Sequence, residues 1–192
     1  EDRPLPEYVR EEFETYLRCG VLEHGFLRVV CEHCRAERLV AYSCKKRGLC
    51  PSCGARRMAE SARHLVDEVF GPRPVRQWVL SFPYPLRFLF ASKPEAIGPV
   101  LGIVHRVIAG WLADQAGVPR DTAQCGAVTL IQRFGSALNL NVHFHMLWLD
   151  GVYDANVEPP RRKPRLRRAR APTSAQLTQL ANTIAHRVCR HL

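Results

Sequence analysis

The segment Leu138-Asn-Leu-Asn-Val-His-Phe-His-Met-Leu-Trp-Leu149 decides the fold of the second half of the chain. Its even positions are all apolar, and its odd positions begin with Asn139, Asn141, His143 and His145. Because side chains alternate between the faces of a strand, this pattern predicts a half-buried β-strand. The two imidazoles then share one face, with Cα atoms about 6.5 Å apart, and could converge on one divalent ion. The alternative is a polar, solvent-facing stripe that happens to include two histidines.

Neighbouring segments predict further strands and several helices. Residues 127–134 precede the histidine strand across Gly135 and Ser136, which predicts a hairpin. Residues 75–82 predict another strand, which ends at Pro83. Helical spacing of apolar residues and terminal signals predict helices over residues 5–18, about 55–70, 94–116 and, capped by Thr173 or Ser174, on to Leu192.

The cysteines are concentrated in the first third of the chain. Five of the eight lie between Cys31 and Cys53, in the pattern Cys31-x2-Cys34, fifteen residues, Cys50-x2-Cys53. This spacing predicts a closed, structural four-cysteine zinc site, although Cys44 or His33 could replace one of the four. Buried or disulfide-bonded cysteines are the alternative. Cys19, Cys125 and Cys189 are isolated in sequence, which favours small buried apolar roles.

The charge balance indicates a polyanionic partner. Lysine and arginine number 28 against 18 acidic residues, giving a net charge of +10 and a pI near 9.6. No run approaches the roughly 18 uninterrupted apolar residues of a membrane span, and no signal peptide is recognisable, so nucleic acid is favoured over a membrane. Clustered CxxC pairs favour a reducing compartment, the cytoplasm.

The densest basic segment covers residues 161–170 and is flanked by prolines. We expect an exposed loop that contacts the DNA backbone, and the alternative is a merely solvated charge run. Its basic residues are Arg161, Arg162, Lys163, Arg165, Arg167, Arg168 and Arg170.

Four motifs together resemble the rolling-circle insertion-sequence transposases of the HUH two-tyrosine class. They are Cys31-Glu-His-Cys34, Ser43-Cys-Lys-Lys-Arg-Gly-Leu-Cys-Pro-Ser-Cys-Gly-Ala-Arg-Arg57, Gln77-Trp-Val-Leu-Ser-Phe-Pro83 and Gln132-Arg-Phe-Gly-Ser-Ala-Leu-Asn-Leu-Asn-Val-His-Phe-His145. The resemblance covers the chain from about Phe13 through the final helix. It implies an α+β fold in which residues 1–72 form a zinc-binding transposase domain. Residues 73–192 would form an HUH-type nuclease domain with a mostly antiparallel sheet flanked by helices.

The resemblance also implies a chemistry. The cysteines would hold Zn2+, and His143 and His145 would hold a catalytic Mg2+ or Mn2+, with Asn141 a candidate third ligand on their face. The partner would be single-stranded DNA at the ends of a mobile element. The protein would nick and rejoin this DNA through a 5′-phosphotyrosine intermediate. In a bacterial-type cell, the DNA-bound protein would lie on the nucleoid. The class uses a tyrosine pair, whereas only Tyr153 follows His145 here. We therefore expect a fragment whose nucleophile lies beyond Leu192.

Two other functions stay open on the sequence alone. The missing tyrosine pair leaves room for a non-catalytic, zinc-dependent nucleic-acid-binding protein. An HUH replication initiator or relaxase would share the histidine strand, but it has less reason to carry the cysteine module.

Overall fold

The computed structural model describes residues 4–46, 49–137, 139–156 and 165–192. The chain divides into two compact units, Glu1–Gly71 and Pro72–Leu192, here called the N-terminal and C-terminal units. The observed fold is α+β, as the sequence predicts.

The N-terminal unit consists of two helices and a hairpin. Helix α1 spans Glu7–Leu17, strands β1 (Phe26–Val30) and β2 (Glu37–Ala41) pair antiparallel, and α2 spans Pro51–His64. A π-helical segment, Leu65–Phe70, continues α2. The hairpin was not predicted, because nearly all of its side chains are exposed and it lacks the alternation of a half-buried strand. Helix α2 begins earlier than predicted, with Pro51 in its first turn, where proline is favourable.

The C-terminal unit is built on a three-stranded antiparallel sheet of order β3-β6-β5. Strand β3 spans Val75–Ser81, β5 spans Ala127–Phe134 and the central β6 spans Leu140–Leu149. A bulge between Gln132 and Phe134 shifts the β5–β6 register. A second small sheet, which was not predicted, joins β4 (Ala123–Gln124), β7 (Gly151–Asp154) and β8 (Arg167–Arg168).

Three helices accompany these sheets. Helix α3 spans Tyr84–Ser92 and was not predicted; α4 spans Ile97–Ala116 after a 3-10 turn, and α5 spans Ser174–His191. Helix α4 ends at Gly117 in the left-handed conformation, which glycine adopts without strain. Of the two caps predicted for α5, Thr173 is the N-cap residue, and it forms a capping box in which Thr173 and Gln176 exchange side-chain and backbone hydrogen bonds.

The core of the C-terminal unit lies between the main sheet and α4. Strand β6 contributes Val142, Phe144, Met146 and Trp148, each at most 2% exposed, and α4 contributes a stripe that includes Val104. Phe82 packs edge-to-face on Phe144 with ring centroids 5.0 Å apart. The segment Pro94–Ala116 is long and apolar enough to cross a membrane, with mean hydropathy 1.5, but half of it is buried inside the unit. Core helices of globular domains meet the same criterion.

Candidate functional site

Four cysteines converge in the N-terminal unit. The ligand atoms of Cys19, Cys44, Cys50 and Cys53 all lie within 4.8 Å of one another. The Sγ of Cys19 is 3.6 Å from that of Cys53 and 3.6 Å from that of Cys50, and the Cys44–Cys53 distance is 3.7 Å. A tetrahedral zinc ion with Zn–S bonds of about 2.3 Å places its sulfurs about 3.8 Å apart. The four thiols therefore fit a structural zinc centre.

The beginning of α2 positions two of these ligands. Cys50 is the N-cap residue and Cys53 lies in the first turn. The backbone N–H of Cys53 donates to the Cys50 sulfur, and this hydrogen bond lowers the Cys50 pKa to about 7. The positive end of the helix dipole favours a thiolate at the same place.

The other two ligands meet at the base of the β1–β2 hairpin. Gly20 N–H donates to the Tyr42 carbonyl (3.0 Å) and Tyr42 N–H donates to the Gly25 carbonyl (3.0 Å), which brings the chain on either side of the hairpin together. The backbone N–H of Cys44 donates to the Cys19 sulfur at 3.3 Å.

These four thiols differ in how readily they ionise. The N–H of Cys44 favours the Cys19 thiolate, but burial and the neighbouring sulfurs outweigh it and raise the Cys19 pKa to about 12. Burial also raises the pKa of Cys44. In a crowded cluster of sulfurs, a divalent cation removes the cost of placing several negative charges together.

Cys31 and Cys34, predicted as half of the zinc set, lie outside this group. They occupy the turn at the tip of the hairpin, where both are exposed and the N–H of Cys34 lowers the Cys31 pKa. The five-residue strands β1 and β2 separate tip from base by about 16 Å. The structure thus places Cys19 and Cys44 beside Cys50 and Cys53, and the interpretation of Cys19 as an isolated residue was wrong. Cys44 was among the alternative zinc ligands predicted from the sequence. Cys19 was not, because it comes close to the other three cysteines only when the hairpin folds.

The second cluster is the face of the main sheet that carries His143 and His145. Central strand β6 sets their positions: His143 pairs with Ser81 and Gln132, and His145 pairs with Val79 and Leu130. The two imidazole centroids are 4.9 Å apart, and His143 is 8% exposed. The predicted sharing of one face is confirmed by this register.

Hydrogen bonds orient both rings. His143 Nδ1 lies 2.5 Å from the carbonyl oxygen of Asn141, which can only accept, so this nitrogen carries the proton and Nε2 keeps its lone pair. His145 Nδ1 lies 3.2 Å from Nε2 of Gln77, which can only donate, so Nδ1 accepts and the proton of the neutral ring is on Nε2. Turning the Gln77 amide by 180° would place its oxygen against Nδ1 and would free His145 Nε2 as a ligand.

Asn141 supplies a third donor on the same face. Its Oδ1 is buried and has no hydrogen-bond partner among the described residues. Buried amide oxygens are normally hydrogen-bonded, and a carboxamide oxygen is a ligand that Mg2+ accepts. The donor set of two imidazoles and one oxygen fits a divalent cation.

The basic segment is described from Arg165 onward; Arg161, Arg162 and Lys163 lie outside the described residues. Arg167 and Arg168 were expected in a loop but form β8 against β7. Arg168 lies 3.3 Å from an Asp150 oxygen, and Arg167 lies 3.9 Å from Asp154. These carboxylates partly neutralise the two arginines. The remaining described members, Arg165 and Arg170, are exposed.

Comparison with known proteins matches two parts of the chain. Residues 1–82 match the family model described as "Transposase zinc-binding domain", and residues 126–192 match the model described as "Putative transposase". No curated protein and no solved structure matches the chain. The two matches support a transposase and a general role in DNA transposition, and the zinc-binding description agrees with the four-cysteine cluster.

Proposed function

We propose that the C-terminal unit nicks and rejoins single-stranded DNA during transposition, and that the scissile phosphate binds at the face formed by Asn141, His143 and His145. The observation that carries this proposal is the unpartnered Asn141 Oδ1 on the strand face that also carries two imidazoles, of which His143 is fixed with Nε2 free. Structural sites fill every coordination position with protein, whereas three ligands leave positions for substrate oxygens.

A bound Mg2+ or Mn2+ would supply Lewis-acid charge to the phosphate oxygens. The protein's own residues provide the geometry. The Asn141 carbonyl holds the His143 ring, and Gln77 orients His145 from the neighbouring strand. Val79 and Leu130, both 56% exposed, flank His145 and offer apolar surface for nucleobases.

The proposed nucleophile is a tyrosine located beyond Leu192. Tyr153 is a poor alternative, because it lies in β7 of the small sheet, whereas the two histidines lie on β6 of the main sheet. Attack by the tyrosine oxygen on phosphorus would break the phosphodiester bond, release a 3′ hydroxyl and leave a 5′-phosphotyrosine. The reverse attack by a 3′ hydroxyl rejoins the strand and frees the tyrosine.

The N-terminal unit is proposed as a zinc-stabilised DNA-binding module. Lys45, Arg56 and Arg57 line an open cavity of about 310 Å³ that also includes Cys53. Basic side chains beside a rigid metal centre suit contacts with phosphates. The transposase matches do not favour the alternative of a non-catalytic binding protein.

Metal binding by the present chain tests the histidine face directly. Paramagnetic broadening of imidazole NMR signals on adding Mn2+ should be strongest at His143 and His145. His143→Ala and His145→Ala should each abolish the broadening of the partner ring, and Asn141→Ala should weaken it. His186→Ala, at an exposed position of α5, is the matched control and should change nothing.

Cleavage is the second readout. The present chain should bind single-stranded DNA without cutting it, and a chain extended past Leu192 should cut and become attached to the 5′ end. The double-histidine variant of the extended chain should bind but not cut. Cleavage by that variant would remove the role of the face, and covalent attachment by the present chain would identify Tyr153 as the nucleophile.

A further inference from the structure

A groove runs between α4 and α5 in the C-terminal unit. It has a volume of about 280 Å³, and its polar lining includes Arg106, Arg120, Arg187, Gln176 and Gln179. Helix α4 turns its apolar stripe to the sheet and contributes Arg106 and Asp114 to the groove. The groove therefore lies on the side of the sheet opposite His143 and His145.

Positive charge in this groove is incompletely neutralised. Three arginines line it against one carboxylate, that of Asp114. Asp114 binds Arg120 at two points, with Nε–Oδ1 at 2.9 Å and Nη2–Oδ2 at 2.5 Å. Within the described part of the chain, no ion pair is recorded for Arg106 or Arg187. Two guanidinium groups are thus available to an anion.

Glycines shape the α4 wall of the groove. A Cβ on Gly110 would lie 3.4 Å from Cζ of Arg120, and one on Gly102 would lie 3.4 Å from Nη1 of Arg106. Both distances are at the limit of ordinary van der Waals contact, so each guanidinium lies directly against the helix at a glycine. Asp114 holds Arg120, so this guanidinium is positioned before a ligand arrives, while Arg106 and Arg187 supply the charge that is not neutralised.

The α5 wall adds two amides and one guanidinium in a row. Gln176, Gln179 and Arg187 share one helix face with Thr183, whose hydroxyl donates to the Gln179 carbonyl oxygen at 2.8 Å. From Gln176 to Arg187 this row extends about 16 Å. A single small anion needs only a few ångströms, whereas a row of amides and guanidiniums suits successive phosphates of a polymer.

We propose that the groove between α4 and α5 binds the sugar–phosphate backbone of single-stranded DNA, as a second DNA contact remote from the histidine face. The proposal does not depend on catalysis at His143 and His145. It would allow the C-terminal unit to hold one strand segment while another lies at the opposite face of the sheet.

The salt dependence of DNA binding gives the test. In the full chain, Arg106→Gln with Arg187→Gln removes two phosphate contacts and should reduce the slope of log affinity against log salt by about 1.4 for a fluorescent oligothymidylate. Between about 50 and 200 mM NaCl the variant should therefore lose about sevenfold less affinity than the parent. Lys93→Gln, at an exposed position of the C-terminal unit that does not line the groove, is the control and should keep the slope of the parent.

A photo-crosslinker locates the contact. Gln179→p-benzoylphenylalanine should crosslink to the oligonucleotide, and the same substitution at Lys93 should not. The groove proposal is overturned if the double variant keeps the slope of the parent and Gln179 gives no crosslink. If inorganic phosphate stabilises the parent against heat through Arg106 and Arg187 while the DNA slope is unchanged, the groove binds free anions instead, which also overturns it. Loss of cutting by the double-histidine variant leaves this slope untouched, so the two proposals fail separately.

Discussion

Replacing Cys19 with serine separates the cysteine set formed in the structure from the set predicted by spacing. A serine hydroxyl stays protonated near neutral pH and cannot replace a thiolate ligand. Structural zinc in finger-like modules contributes roughly 10–16 kcal/mol through four ligands. An equal share for each ligand is about 2.5–4 kcal/mol, so Cys19→Ser should weaken zinc binding by about two to three orders of magnitude.

The loss should also unfold the N-terminal unit. Among its described residues only Cys50 and Phe70 are buried, so apolar burial alone provides little stability. The three tryptophans, Trp78, Trp111 and Trp148, all lie in the C-terminal unit and report separately on it. Cys19→Ser should therefore lower far-UV circular dichroism and zinc content while tryptophan fluorescence is unchanged.

Competition with a chromophoric chelator, together with metal analysis, measures the effect. Cys31→Ser is the matched control, since Cys31 is exposed at the hairpin tip and should leave zinc affinity within about twofold. If Cys31→Ser weakens zinc binding as much as Cys19→Ser, the ligand set of Cys19, Cys44, Cys50 and Cys53 is incorrect. One zinc ion retained by Cys19→Ser with unchanged affinity would contradict it equally.

Three further predictions concern proton release, the core and ring orientation. Zinc binding at about pH 8 should release at least two protons, because the Cys19 pKa is about 12 and the Cys44 pKa is also raised, whereas Cys50, with a pKa of about 7, is already ionised. Zinc affinity should therefore fall as the pH falls. Calorimetry in buffers of different ionisation enthalpy counts the released protons. Phe144→Ala should cost about 3–5 kcal/mol in urea unfolding followed by tryptophan fluorescence, since Phe144 is fully buried, while the exposed Leu130→Ala should cost about 0.5 kcal/mol or less. Gln77→Leu should weaken Mn2+ binding by about tenfold, because His145 loses the group that orients it; unchanged Mn2+ affinity would exclude that role.

Strands and helices with a buried face were predictable because their periodicity is local. Strand β6 and helix α4 lie close to their predicted bounds, and Thr173 caps α5. Strands β4, β7 and β8 were not predictable, since they are two to four residues long and depend on long-range pairing. Helix α3 begins with Tyr84 and Pro85, directly after the Pro83 that was predicted to end a strand, and proline is also suited to a helix start.

The candidate sites also differ in whether their residues are brought together by a local pattern or by long-range contacts. His143 and His145 could be identified because the period of two brings them together within one strand. The zinc set could be identified only in part, because the CxxC pair at Cys50 and Cys53 is local to α2, whereas Cys19 joins it through a hairpin whose strands carry no burial signal.

Strand β6 connects the core of the C-terminal unit with its candidate active face. A register slip of one residue would move Phe144 to the open face and both histidines into the core. The burial of Phe144 at 0% and Met146 at 1% opposes such a slip by several kcal/mol. The same packing therefore fixes the spacing of His143 and His145 even when nothing is bound between the two rings. A site held by a central strand, with β3 and β5 paired on either side, keeps its geometry without a ligand, as the proposed positioning of a phosphate for in-line attack requires.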